Sequence, residues 1–166
     1  MTTVDAPSAL LPRANPIARL TDALFGWLPM SLAMLALRFA LAVPFWKSGM
    51  TKWDGFLTLS FGAQQLFVDE FKLHLLGGEY AFPFPQTMAL LSALGETILP
   101  VLLVFGLATR YAALGILAMT AIIQLTVPDG WANFHLPWAA MALSIMTFGP
   151  GRAALDRVLG MERRRA

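Results

Sequence analysis

The chain has 166 residues, of which 57% are hydrophobic and 13% charged, with a formal charge of +2. That is too apolar for an ordinary soluble domain and points to a surface that faces lipid. The small charge, with no basic run among interleaved aromatics, excludes nucleic-acid binding. The lack of cysteine excludes disulfides, thiolate metal sites and cysteine nucleophiles, so any redox role needs a bound cofactor.

Residues 1–25 mix Asp5, Arg13, Arg19 and Asp22 with three prolines and show no apolar run leading to a small-residue cleavage site, so they do not read as a signal peptide. Four apolar stretches follow at about 27–49, 84–107, 109–127 and 131–148. Each approaches the roughly 20 helical residues that a hydrocarbon core of about 30 Å requires. The fold class expected is therefore all-α, a four-helix transmembrane bundle.

The long first loop opens with Met50-Thr51-Lys52-Trp53-Asp54-Gly55. It then carries Leu66, Phe67, Phe71 and Leu75 at helical spacing, with Gln64, Asp69, Glu70 and Lys72 on other faces. This predicts an extra amphipathic helix over 60–76, capped by Gly77-Gly78. Tyr80 to Pro85 is stiffened by two prolines and carries aromatics suited to a headgroup belt. Pro128-Asp129-Gly130 turns the third span into the fourth, and Gly149-Pro150-Gly151 stops the fourth.

Four spans put both ends on one side. That side, with the second loop, carries eight Lys and Arg against three for the other, Lys47, Lys52 and Lys72. The positive-inside rule then places 1–26 and the basic tail 150–166 in the cytoplasm, and the long loop outside.

Charges inside spans are costly and are the sharpest site pointers in a membrane chain. Arg38 lies about halfway along the first span and Glu96 about halfway along the second, which predicts an intramembrane ion pair at the midplane. Such a pair either fixes helix register or marks a functional path. A second polar group lies toward the outer side. Lys52, Trp53, Gln124, Asn133 and His135 together would line a pocket with donors for quinone carbonyls and aromatic surface for a ring. The alternative is that the tryptophans belong to interfacial belts and His135 bonds within the bundle. No metal site stands out: His74 and His135 have no histidine partner at i+3 or i+4, and methionines such as Met30 and Met34 read as packing. No phosphate loop, GxSxG elbow or HExxH motif is present, so the catalytic residues are unknown and a non-enzymatic role is preferred.

Several segments resemble the DoxX-like family of small bacterial four-helix membrane proteins. They are Leu37 to Leu41, Ser48-Gly49-Met50-Thr51-Lys52, Gly95-Glu96, Gly106 to Ala113, and Phe148 to Arg152 with Leu155-Asp156. Many members carry His immediately before the glycine matching Gly49, where this chain has Ser48. The resemblance implies a multi-pass protein of the bacterial inner membrane, with 27–149 as the family domain. It also implies association with redox systems, since relatives include a subunit of thiosulfate:quinone oxidoreductase and partners of oxidative-stress proteins. Phe71 to His74, Gly78 to Tyr80 and Val127 to His135 look like a subgroup found beside peptide-modifying enzymes and metal-stress peptides, which suggests copper defence. The expectation is an accessory component of a redox or metal-stress system with protein partners, binding a quinone, and a quinone-linked oxidoreductase subunit if it has catalytic activity. Alternatives are a small transporter or exporter of a metal or solute, a homo-oligomer among them, and a scaffold for a periplasmic partner.

Overall fold

The computed structural model describes residues 15–26 and 28–161. Trp27, Arg13 and Arg163 to Arg165, which enter the span and orientation readings, lie outside that set. A short helix α1 (Pro16–Phe25) opens it, capped by the Asn15 side chain, which accepts from the Ile17 amide. Ile17, Leu20, Leu24 and Phe25 are all exposed along it.

Among the described residues, three helices are long and apolar enough to cross a membrane: α2 (Met30–Met50), α4 (Pro85–Phe105) and α5 (Thr109–Thr126). At about 1.5 Å per residue the first two reach roughly 31 Å. Pro85 starts α4 at the position where a missing amide costs nothing. Gly106, at φ 68°, ends it with the amides of Gly106 and Leu107 bonded back to Leu103 and Leu102. A π-turn at Trp131–His135 runs without a break into α6 (Leu136–Phe148), giving a helical path of 18 residues.

These helices pack in the cycle α2, α4, α5, α6 and back to α2. Met34, Leu41, Phe45, Leu103, Ile116 and Ile145 lead the buried core, with Ala42, Ala112, Ala113 and Ala142 among them. Glycines set the closest approaches. A methyl group on Gly49 would lie 2.8 Å from the Glu96 carbonyl, one on Gly95 would lie 2.8 Å from Met119 Sδ, and one on Gly115 would lie 2.9 Å from Leu99. The Gly49 contact falls at the one place on α4 where the carbonyl is freed from its helical bond, because Pro100 stands four residues on and has no amide hydrogen.

With Gly49 level with Glu96, the end of α2 stops about three turns short of the start of α4. The loop 51–84 folds back into that gap. It is not the single amphipathic helix expected over 60–76, and the chain is not all-α. Two small antiparallel hairpins, β1 (Trp53–Gly55) with β2 (Thr58–Leu59) and β3 (Lys72–Leu75) with β4 (Gly78–Ala81), flank a short helical stretch. That stretch is α3 (Phe61–Gln65), capped by Ser60 Oγ, followed by a π-turn over Leu66–Glu70.

Helical spacing reads the first half of the segment correctly and then fails. Leu76 (φ 52°) and Gly77 (φ 83°) both adopt left-handed backbone, so Leu76-Gly77 forms a two-residue hairpin turn where a helix cap was expected. Phe67, Phe82 and Ala89 build a second small core, with Leu59, Phe71, Leu73 and Met88 against it.

Candidate functional site

Two polar constellations occupy opposite ends of the helix pack. At the end where α4 hands over to α5, Arg38 is 1% exposed and donates to the carbonyls of Pro150 (3.2 Å) and Ala153 (2.7 Å). Its guanidinium lies where a side chain on Gly106 would be, so that position requires glycine on both steric and backbone grounds. Asp156, on the short helix α7 (Leu155–Val158), accepts from the amides of Ala108 (2.6 Å) and Thr109 (2.8 Å) and from Thr109 Oγ1 (2.6 Å). It caps α5 from outside, where Ala108 offers no side-chain oxygen. Arg110 donates to the Met146 carbonyl near the end of α6. The segments around Arg38, Gly106 and Asp156 therefore form one clasp that ties the residues after α6 to α2, α4 and α5.

The expected Arg38–Glu96 ion pair does not form. Gly49 faces Glu96, and Arg38 lies eleven residues earlier on α2, about 16 Å along the axis. Equal fractional positions along two spans correspond to equal depth only when the helices start level, and these are staggered. The partner of Glu96 is Lys52, just beyond the end of α2: Lys52 Nζ to Glu96 Oε2 is 2.5 Å, with side-chain exposures of 12% and 5%. Ser92 Oγ donates to Glu96 Oε1 (2.9 Å) and Lys52 also donates to Ser48 Oγ (3.1 Å). Trp53 Nε1 bonds Thr97 Oγ1 (3.0 Å), pinning the start of the hairpin to α4.

A cavity of about 350 Å³ stands on this charge pair. Ser48, Lys52, Ser92 and Glu96 supply its polar floor. Phe45 and Trp138 wall it from α2 and α6, with ring centroids 5.0 Å apart, while Phe67, Phe71 and Phe82 cover it from the loop. Pro44 on α2, Met88 and Leu91 on α4, Met119, Ile122, Ile123 and Thr126 on α5, and Val127 just after it complete the lining. Of the five residues grouped from the sequence, Lys52 lines this cavity. Gln124 Oε1 and His135 Nδ1 meet each other at 2.6 Å outside it, with Gln124 Nε2 donating to the Pro128 carbonyl. The imidazole is 3% exposed and packs on Gly130, so this pair locks the turn between α5 and α6. Asn133 is exposed.

Ser48, Ser92 and the loop phenylalanines are not among the residues grouped into a site from the sequence. The serines had a signal, since each lies four residues before a charged floor residue, on the same side of a helix. Among the described residues, no group of three His, Cys, Asp or Glu side chains could hold a metal ion.

A family model described as DoxX matches residues 33–129, from the first turns of α2 to the turn after α5. The chain belongs to the DoxX family. The match contains both halves of the cavity floor, and in this DoxX protein Ser48-Gly49-Met50-Thr51-Lys52 and Gly95-Glu96 turn out to be one three-dimensional feature. The chain is also similar to an uncharacterized protein of Haemophilus influenzae, with 28% identity covering 77% of this chain and 83% of that one. No solved structure matches it.

Proposed function

We propose that this DoxX protein is an accessory, ligand-binding component of a redox or metal-stress system in the bacterial inner membrane, and that it binds a quinone ring in the cavity above Lys52 and Glu96. In this reading the helical path 131–148 is the fourth span. Both termini and the clasp face the cytoplasm, in keeping with the arginines at that end, and the hairpins lie at the outer side.

The observation that carries the reading is a largely buried, hydrogen-bonded Lys52–Glu96 pair forming the floor of a mainly aromatic and aliphatic cavity. A cavity of that size matches the small end of ligand sites, in which a few placed polar groups orient an apolar body. Lys52, with its third ammonium hydrogen, and the Ser48 hydroxyl, which accepts from Lys52 and keeps its own hydrogen, can donate to carbonyl oxygens, and Phe45, Phe67 and Trp138 offer ring faces and edges to a flat molecule. A structural salt bridge alone accounts for the pair but not for the space left above it. Small non-helical segments at membrane depth are tolerated where they line a cavity, which is where this loop lies.

Solvent extraction of detergent-purified protein, followed by mass spectrometry, tests the proposal. Wild-type protein should release a stoichiometric quinone and the Lys52→Met variant should not. Protein that carries none and shows no affinity for an added benzoquinone would refute it.

A further inference from the structure

The cavity has a closed side, a covered top and an opening between α4 and α5. Along the seam between α4 and α5, Gly115 packs against Leu99 and Gly95 against Met119, so the two helices touch closely on the clasp side of the cavity. From Met119 toward the hairpins the seam is lined by Leu91 and Ile122. Both border the cavity while remaining 55% and 50% exposed, a combination that places them at a mouth; Val127 just after α5 and Ser48 on α2 also border it and are exposed. The top is shut by the cluster in which Phe67 meets Phe71 and Phe82 at centroid distances of 5.1 and 5.4 Å. That cover is tied down on the α5 side, where His74 Nδ1 bonds the Leu125 carbonyl at 3.1 Å. The opening between Leu91 and Ile122 therefore faces sideways, between two membrane-spanning helices.

We propose, resting on the ring-binding reading above, that the site is loaded from the lipid phase and that its ligand is a neutral lipid. The hydrogen-bond-accepting head sits on Lys52 and Ser48, and the apolar tail leaves through the slot between Leu91 and Ile122. Neutrality follows from the floor, where the charges of Lys52 and Glu96 already compensate each other and an added ionic head would lack a counter-charge in an apolar enclosure. The tail follows from size and position. About 350 Å³ holds a head group and little more, and the exit is flanked by aliphatic side chains.

The chain has no cysteine, so a single introduced thiol can be modified in the folded protein. In lipid nanodiscs, Leu91→Cys would be reacted with a bulky non-fluorescent maleimide. Leu90→Cys, on the same helix and not part of the lining, serves as the labelled control. The probes are a benzoquinone bearing a decyl tail and the same ring without one, and binding is read by tryptophan quenching in each labelled and unlabelled form.

Label at residue 91 should weaken the tailed probe by about tenfold or more, a change of roughly 1.4 kcal/mol. The tailless ring should keep its affinity, as should both probes when the label is at residue 90. Unchanged affinity of the tailed probe for the form labelled at residue 91 overturns the sideways route and leaves the ring-binding reading standing. Failure of both probes to bind wild-type protein overturns both.

Discussion

Replacing Gly49 by alanine adds one methyl group at the point where α2 meets the freed carbonyl of Glu96, and two opposing effects set the result. Alanine favours a helix over glycine by about 0.8–1 kcal/mol, which taken alone predicts a more stable protein. The added carbon would sit 2.8 Å from both the carbonyl carbon and oxygen of Glu96 and 3.0 Å from its Cβ, and none of these is a flexible side-chain end that can swing aside. The helices must separate, and overpacking of this kind costs about 1–3 kcal/mol. The net expectation is a loss of about 1 kcal/mol, or roughly 2–4 °C in midpoint for a chain of this size. Thermal denaturation in detergent, followed by loss of the monodisperse peak, measures it. Gly62→Ala is the comparison, since a methyl group there meets nothing within 4 Å. Gly49→Val should be worse than Gly49→Ala. An alanine variant more stable than wild type would refute the close approach and, with it, the register that brings Lys52 to Glu96.

Lys52→Met leaves the Glu96 carboxylate buried with Ser92 as its remaining partner, and breaking a buried pair this way costs about 3–5 kcal/mol. The double variant Lys52→Met, Glu96→Leu should recover most of that loss, so a denaturation cycle with additive effects would contradict a direct pair. Asp156→Ala should lower stability by about 2 kcal/mol through loss of the external cap on α5, and hydrogen exchange at Ala108 and Thr109 should rise with it. At the tip of the second hairpin, Leu76 is fully exposed and left-handed, so Leu76→Asn should slow hydrogen exchange across 72–81. Faster exchange in that variant would argue for a helix in the segment.

Much of the molecule is legible from residue types in order. Length and apolarity mark α2, α4 and α5 as membrane helices because a lipid-facing helix must be apolar nearly all round, and that pattern is local. Part of the clasp and of the floor is also written in short segments: Arg38 and Glu96 stand out because an ionisable group in an apolar run is expensive, and Lys52 stands out as a donor at the end of the first span. Pairing was not legible. Which charge meets which depends on the stagger between α2 and α4, and a glycine packed on a proline-freed carbonyl sets that stagger in a way that fractional position along a span does not report. The segment after Glu70 misled for a related reason. Its apolar residues fit helical spacing, while the backbone was decided at Leu76-Gly77, where a left-handed turn reverses the chain and lets the loop fill the space that the short end of α2 leaves open. Sequence alone thus determined that the chain is a membrane protein with Arg38, Lys52 and Glu96 as its notable charges. Only the tertiary structure decided that Arg38 belongs to a carbonyl clasp, that Lys52 and Glu96 form a floor, and that a cavity stands above it, because each rests on distances between residues far apart in the chain.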